Sequence, residues 1–217
     1  MRKYFEIGGM LAAVVLIGFG VAAIVMGAGG RSTVNDNLSE QKIVGTPDMT
    51  PSAIKAEAAK AGLDTSKIAL PTCSVANQQV TDGSSARCFA EYMKVHALEA
   101  SGGQVYAEMP RYATADGKGT DVEAQALKGP NGKPAENPAR NVWVQETALA
   151  TALNTSYMAE QTALFGVVVG VALLLSGLGF AILSIGGALR NEDSALRFLQ
   201  RRAHEPRHGA SPRPAGA

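Results

Sequence analysis

The chain is poor in the residues from which most catalytic sites are built. Its 217 residues include three histidines, two cysteines and one tryptophan, and aromatic residues make up 6%. Only one histidine, His96, falls between the two apolar runs described below. No Ser-His-Asp or Cys-His set can be assembled around it with its partners defined. A Gly-x-x-x-x-Gly-Lys phosphate loop is missing, and Asp116-Gly117-Lys118-Gly119 reads as a turn. The formal charge is +1, from 20 basic and 19 acidic residues, which leaves no general electrostatic case for binding nucleic acid.

The most informative absence is of charge in two places. Residues 7–30 and 161–189 contain no ionisable side chain, a partition hidden by a mean hydropathy of only +0.03. A helix rises about 1.5 Å per residue and the hydrocarbon layer is about 30 Å thick, so roughly 20 apolar residues reach across it. Both runs are long enough. For the first, the alternative is a cleaved secretory signal, because it follows Arg2 and Lys3 and because Ala23 or Ala28 could precede a cleavage site. The apolar core of a signal is usually only about 7–15 residues, which favours an uncleaved anchor. For the second, the alternative is a buried helix of a soluble protein, which its length and lack of charge oppose.

Basic residues close to a span are retained on the cytoplasmic side. Arg2 and Lys3 flank the first run, and Arg190, Arg197, Arg201 and Arg202 follow the second, while the intervening region has only Arg31 close by. The expected organisation is a cytoplasmic N-terminus at 1–6 and a first transmembrane helix at 7–29. An extracytoplasmic domain then occupies 30–161, a second transmembrane helix 162–189, and a cytoplasmic tail, partly disordered, 190–217. The fold class is mainly α: two transmembrane helices flanking a small helical domain with one disulfide.

Within the domain, residues 32–43 can continue the first helix, although Gly29-Gly30 makes a break equally reasonable. Thr50-Pro51 is a strong helix start, with Ile54, Ala58 and Ala61 on one face and Gly62 as a stop. A further helix begins with Ser84 or Ser85 as cap, places Cys88, Tyr92, Val95 and Glu99 on one stripe, and ends at Gly102-Gly103. A short helix over 105–112 is interrupted by Pro110, and 114–138 reads as a long mobile loop rich in glycine and proline. Asn137-Pro138 then opens one helix of 139–189, a stalk running into the second span, with Val142, Leu149, Leu153 and Ser156 sharing a face. A short helical piece is expected at 194–202.

Cys73 and Cys88 lie in the region expected outside, where thiols oxidise. They are expected to form a structural disulfide, because a redox pair would favour Cys-x-x-Cys spacing. Two other features invite a metal. His204-Glu205-Pro206-Arg207-His208 matches the zinc-protease pattern, but a proline opposes the helix that the pattern requires. His96 stands three residues before Glu99, and two such ligands could begin a site, yet no third is evident. Neither metal nor cofactor is therefore expected, and scattered acids such as Glu91 and Glu108 carry no catalytic signal.

In the runs themselves, small residues recur at four-residue steps: Gly18 with Ala22, Gly166 with Gly170, and Gly177 with Ala181. Such pairs let helix backbones approach closely, either between these two helices or with another protein. Tyr157 is placed to sit at headgroup level, and Trp143 to pack against the domain.

Several segments resemble a known group. Cys73, Ala86-Arg87-Cys88-Phe89-Ala90, His96-Ala97-Leu98-Glu99, the 106–112 stretch Tyr-Ala-Glu-Met-Pro-Arg-Tyr, Asn141-Val142-Trp143 and Tyr157-Met158-Ala159-Glu160-Gln161 are similar to the uncharacterised two-pass membrane proteins of actinobacteria. The resemblance implies that topology and a bacterial cell membrane, and it brings no activity or site residues with it. The expected function is non-enzymatic: an accessory or scaffold component of the envelope. Its partners would be the lipid bilayer and a membrane or envelope protein, or a second copy of the chain, and not nucleic acid. A ligand sensor signalling through the stalk is the alternative, and an extracytoplasmic enzyme has no specific support.

Overall fold

The computed structural model of the protein describes residues 2–186. The expected tail helix at 194–202 and the stretch His204 to His208 lie outside the described residues. Helix α1 (Arg2–Glu40) contains no proline and passes Gly29-Gly30 without a break. The Thr33 hydroxyl donates to the Gly29 carbonyl at 3.0 Å, a bond within the helix at the position where the glycines weaken it. Helix α2 (Pro51–Lys60) starts as its sequence dictates: Thr50 caps by accepting from the Ala53 amide, proline fills the first turn, and Gly62 follows with φ +76°.

Helix α3 (Gly83–Ala100) is capped by Asp82, not by Ser84 or Ser85. The Asp82 carboxylate accepts from the Ser85 amide at 2.7 Å, while the Ser85 hydroxyl meets the Asp82 amide at 3.2 Å, a reciprocal capping box. Asp is as good a cap as Ser, and here the residue three positions on can return the bond. Helix α4 (Pro138–Ile185) runs without interruption, and the Asn137 side chain accepts from the Ala139 amide at its start. Of the short helix expected at 105–112, only the 3-10 turn Tyr106–Glu108 forms.

Backbone contacts divide the described residues into two units, one comprising residues 2–24 with 168–186, the other Val25–Val167. In the first, α1 and α4 lie antiparallel. A Cβ on Gly20 would stand 2.8 Å from the Gly170 carbonyl oxygen, and one on Gly177 would stand 2.9 Å from the Ile17 amide. Backbone therefore packs on backbone, which only glycine permits at this distance.

In the second unit, α2 packs on α3. Ile54 and Ala58 of α2, Phe89, Tyr92 and Val95 of α3, Leu38 of α1, and Trp143 and Leu153 of α4 form one buried cluster. Between α1 and α3 the chain folds back on itself, with the Val80 amide donating to the Ile43 carbonyl and the Gly45 amide to the Gln78 carbonyl, both at 2.9 Å. A Cβ on Gly45 would collide with the Val75 carbonyl, so the close approach requires glycine there. Cys73 and Cys88 are bonded, closing a separation of 15 residues and tying this connection to α3.

The segment expected to be a mobile loop is organised instead. Tyr112 and Thr120 exchange two backbone hydrogen bonds, and Ala113 and Leu127 each engage the strand-like stretch around Ala135. Gly117, Gly119 and Gly132 take φ near +74° at the turns that permit this pairing. The glycines and prolines signal turns rather than freedom.

Removing the bridge tests its contribution. Cys73→Ser/Cys88→Ser is expected to lose about 3 kcal/mol of stability in the chain-entropy model. Equilibrium denaturation in mild detergent, followed by the fluorescence of Trp143, measures the loss.

Candidate functional site

The small residues singled out by spacing fall on different faces. Gly170 and Gly177 lie in the contact between α1 and α4, whereas Gly18 and Ala22 face outward, with nothing within 4 Å of a Cβ on Gly18. Gly166 and Ala181 are half-buried. On α1 the contact is made by Ala13 and Gly20, and farther along the helix by Gly27, each seven residues from the next. A four-residue pattern alone does not tell which face meets the partner helix. The seven-residue recurrence of small residues carries that information, because it returns to the same face of a slightly under-wound helix.

A buried polar arrangement in the second unit surrounds Glu160 of α4. Its side chain is 9% exposed, and a buried carboxylate must be given donors. One oxygen accepts from the Gly83 amide at 2.7 Å. The other accepts from the Arg31 guanidinium, Nη2 at 3.1 Å and Nε at 3.3 Å. Gly83 is the first residue of α3, and its amide has no acceptor within the helix. The carboxylate thus sits at the positive end of α3, and both its oxygens make charge-assisted bonds.

Three helices meet at this one side chain, α1 through Arg31, α3 through Gly83 and α4 through Glu160. Gly83 must be glycine for geometric reasons, since a Cβ there would lie 2.7 Å from the Tyr157 Cα. Beside it, Arg87 lies 5.0 Å from the Tyr157 ring centroid and pairs with Glu91 at 3.3 Å. Tyr157 first and Glu91 second push the Arg87 pKa above its ordinary value. Sequence reasoning missed Glu160, although a signal was present. Arg31 is the first charge after one uncharged run and Glu160 the last before the other, so a tight antiparallel pair brings them together.

Trp143 is buried and its indole N–H is shared between the Ser101 hydroxyl at 3.1 Å and the Gln104 carbonyl at 2.9 Å. The Tyr92 hydroxyl donates to the Cys73 carbonyl at 2.6 Å, and burial chiefly raises its pKa, keeping the donor in place. No protein-family model, curated protein or solved structure matches this chain. The reading of the site therefore rests on its own geometry.

One turn beyond Tyr92 on α3, His96 has more neighbours than its sequence surroundings suggest. Nδ1 lies 3.1 Å from Glu99, Nε2 lies 3.3 Å from Asp48, and Glu57 of α2 completes a group with Asp48 and His96 whose ligand atoms lie within 4.8 Å of one another. The third partner missing from the local sequence comes from the connection before α2 and from α2 itself. The Thr46 hydroxyl is the main influence holding the Asp48 carboxyl below its usual pKa, with a smaller pull from His96, against the opposing effect of partial burial.

Two sets of substitutions test the packing. Glu160→Ala is expected to cost about 2–3 kcal/mol, because it strands the buried Gly83 amide as well as removing the pair. Arg31→Ala is expected to cost about 1–2 kcal/mol, because it leaves one oxygen of the buried Glu160 carboxylate without its donors, a loss partly offset by water entering the place of the half-exposed guanidinium. In the helix contact, Gly170→Leu is expected to destabilise by about 1–3 kcal/mol or more, and Gly18→Leu to leave stability unchanged. Denaturation of the four variants gives the order, and equal costs at Gly18 and Gly170 would contradict it.

Proposed function

We propose that this chain is a two-pass protein of a bacterial cell membrane, with both termini cytoplasmic, that acts without catalysis as an accessory or scaffold component of the envelope. The observation that carries the reading is the outer surface of the two long helices. Each is long and apolar enough to cross a membrane. Large apolar side chains point away from the protein along both, including Phe19 and Met26 on α1 and Phe165, Leu175 and Ile182 on α4, all more than 60% exposed. Lipid solvates such a surface and water does not.

The charge distribution supports the orientation. Within ten residues of the two uncharged runs, Arg31 is the one basic residue on the side proposed to be outside, and Glu160 engages it. Arg2, Lys3 and the arginines from Arg190 onward are the cationic clusters left to hold the ends in the cytoplasm. A role through protein contact is supported by the outward placement of Gly18 and Ala22, a small-residue pair that a second transmembrane helix can approach closely. The uninterrupted run of α4 from Pro138 to Ile185 favours a second reading, a ligand sensor that passes a shift along this helix.

Two measurements on intact cells check the proposal. Protease added outside is expected to cut within 30–161 and leave 190–217 untouched, so external cleavage of the tail overturns the orientation. A photo-crosslinker at position 15 or 25, beside the Gly18 and Ala22 face, is expected to capture a second membrane helix, and Gly18→Leu to abolish the capture while the chain stays folded. Failure to capture any protein from these positions or from the domain removes the scaffold reading. A ligand response abolished by a flexible insertion in α4 favours the sensor.

A further inference from the structure

His96 is surrounded by carboxylates from three segments, Asp48 before α2, Glu57 on α2 and Glu99 on α3. Among the described residues, none of the three pairs with a lysine or arginine. A neutral imidazole has a single N–H. Donated from Nδ1 to Glu99, it leaves the Nε2 lone pair directed at an Asp48 oxygen 3.3 Å away. Two lone pairs at that distance repel, and the Glu57 carboxylate adds negative charge beside them. A proton on Nε2 removes the conflict, and so does a metal ion held between Nε2 and the two carboxylates.

The distances suit one. Donors about 2.1 Å from a common metal stand about 3.0–3.4 Å apart, the His96–Asp48 separation already lies in that interval, and Glu57 needs only a side-chain adjustment to join. Glu99 supplies the usual outer support, a carboxylate that fixes the tautomer and orientation of a ligating histidine. Its other oxygen, Oε1, is buried without a hydrogen-bond partner, while the side chain as a whole is 19% exposed. The scaffold is pinned as well. The Ser74 hydroxyl and the Val75 amide, next to the disulfide, both donate to the carbonyl of Met49, the residue after Asp48.

We propose that Asp48, Glu57 and His96 bind a divalent cation of the zinc type, through His96 Nε2 and one oxygen from each carboxylate, with Glu99 as positioning residue. One imidazole and two carboxylates favour a borderline transition metal over calcium or magnesium, which prefer all-oxygen sites. Three protein donors leave a coordination position for water or for a group from a binding partner. The site lies within one unit and does not depend on the orientation proposed above.

The test uses the full chain in mild detergent, stripped with a chelator, carrying His204→Gln and His208→Gln so that His96 is the sole histidine. Calorimetric titration with zinc is expected to give one equivalent per chain, with calcium and magnesium at least tenfold weaker. His96→Gln, Asp48→Asn and Glu57→Gln should each weaken zinc at least tenfold, and Glu99→Gln by about tenfold. Nitrogen NMR of labelled histidine reads the site without altering its ligands, and zinc is expected to shift Nε2 while Nδ1 stays protonated. Absence of saturable uptake, uptake indifferent to these substitutions, or a His96 ring that remains doubly protonated throughout the titration overturns the proposal.

Discussion

A carboxylate removed from water fixes how three helices of the second unit meet. Charge in a poorly solvated place costs several kcal/mol unless donors surround it, and Glu160 finds its donors on two other helices. The Gly83 amide is available because the first amides of any helix lack internal acceptors. The Arg31 guanidinium is available because α1 continues past the glycines instead of stopping at them. Each of these bonds requires the others' geometry, so the register of α1 against α4 and the docking of α3 on α4 are set at one point.

Close helix approach is the condition for that geometry. At Gly27 a Cβ would fall 2.5 Å from the Ala163 carbonyl oxygen, within the same unit as Glu160. In the other unit, Gly20 and Gly170 make the equivalent approach. The positions involved recur every seven residues, Ala13, Gly20 and Gly27 on α1, and Gly170, Gly177 and Ser184 on α4. That spacing returns to one face of a helix, so the small residues of each helix form a continuous stripe along it. Where side chains on the seam are absent, backbones meet, and dispersion contacts replace the hydrophobic drive that lipid would not supply.

Much of the fold could be read from local chemistry. The start of α2 follows from Thr50-Pro51, the end of α3 from Gly102-Gly103, and the disulfide from two cysteines in a small helical region. Long-range features could not be read the same way. Asp82 displaced the serines as the cap of α3 because Ser85 could answer it, a reciprocity that single-residue preferences miss. The 114–138 segment was composed like a loose loop, yet its glycines supply the left-handed turns through which Tyr112 and Ala113 pair with distant backbone. His96 shows one partner along the chain, Glu99, because its other neighbours, Asp48 and Glu57, come from other elements. Glu160 was hidden by its own context, one acid among the charges that border an apolar run.

The Glu160 carboxylate binds the first amide of α3, and hydrogen exchange at Gly83 reads that bond directly. First-turn amides of a helix exchange quickly when only water accepts from them. The Gly83 amide is expected to exchange in the native protein as slowly as the α3 interior, and to lose this protection in Glu160→Ala while the helix core keeps its own. A Gly83 amide that exchanges freely in the native protein would contradict it.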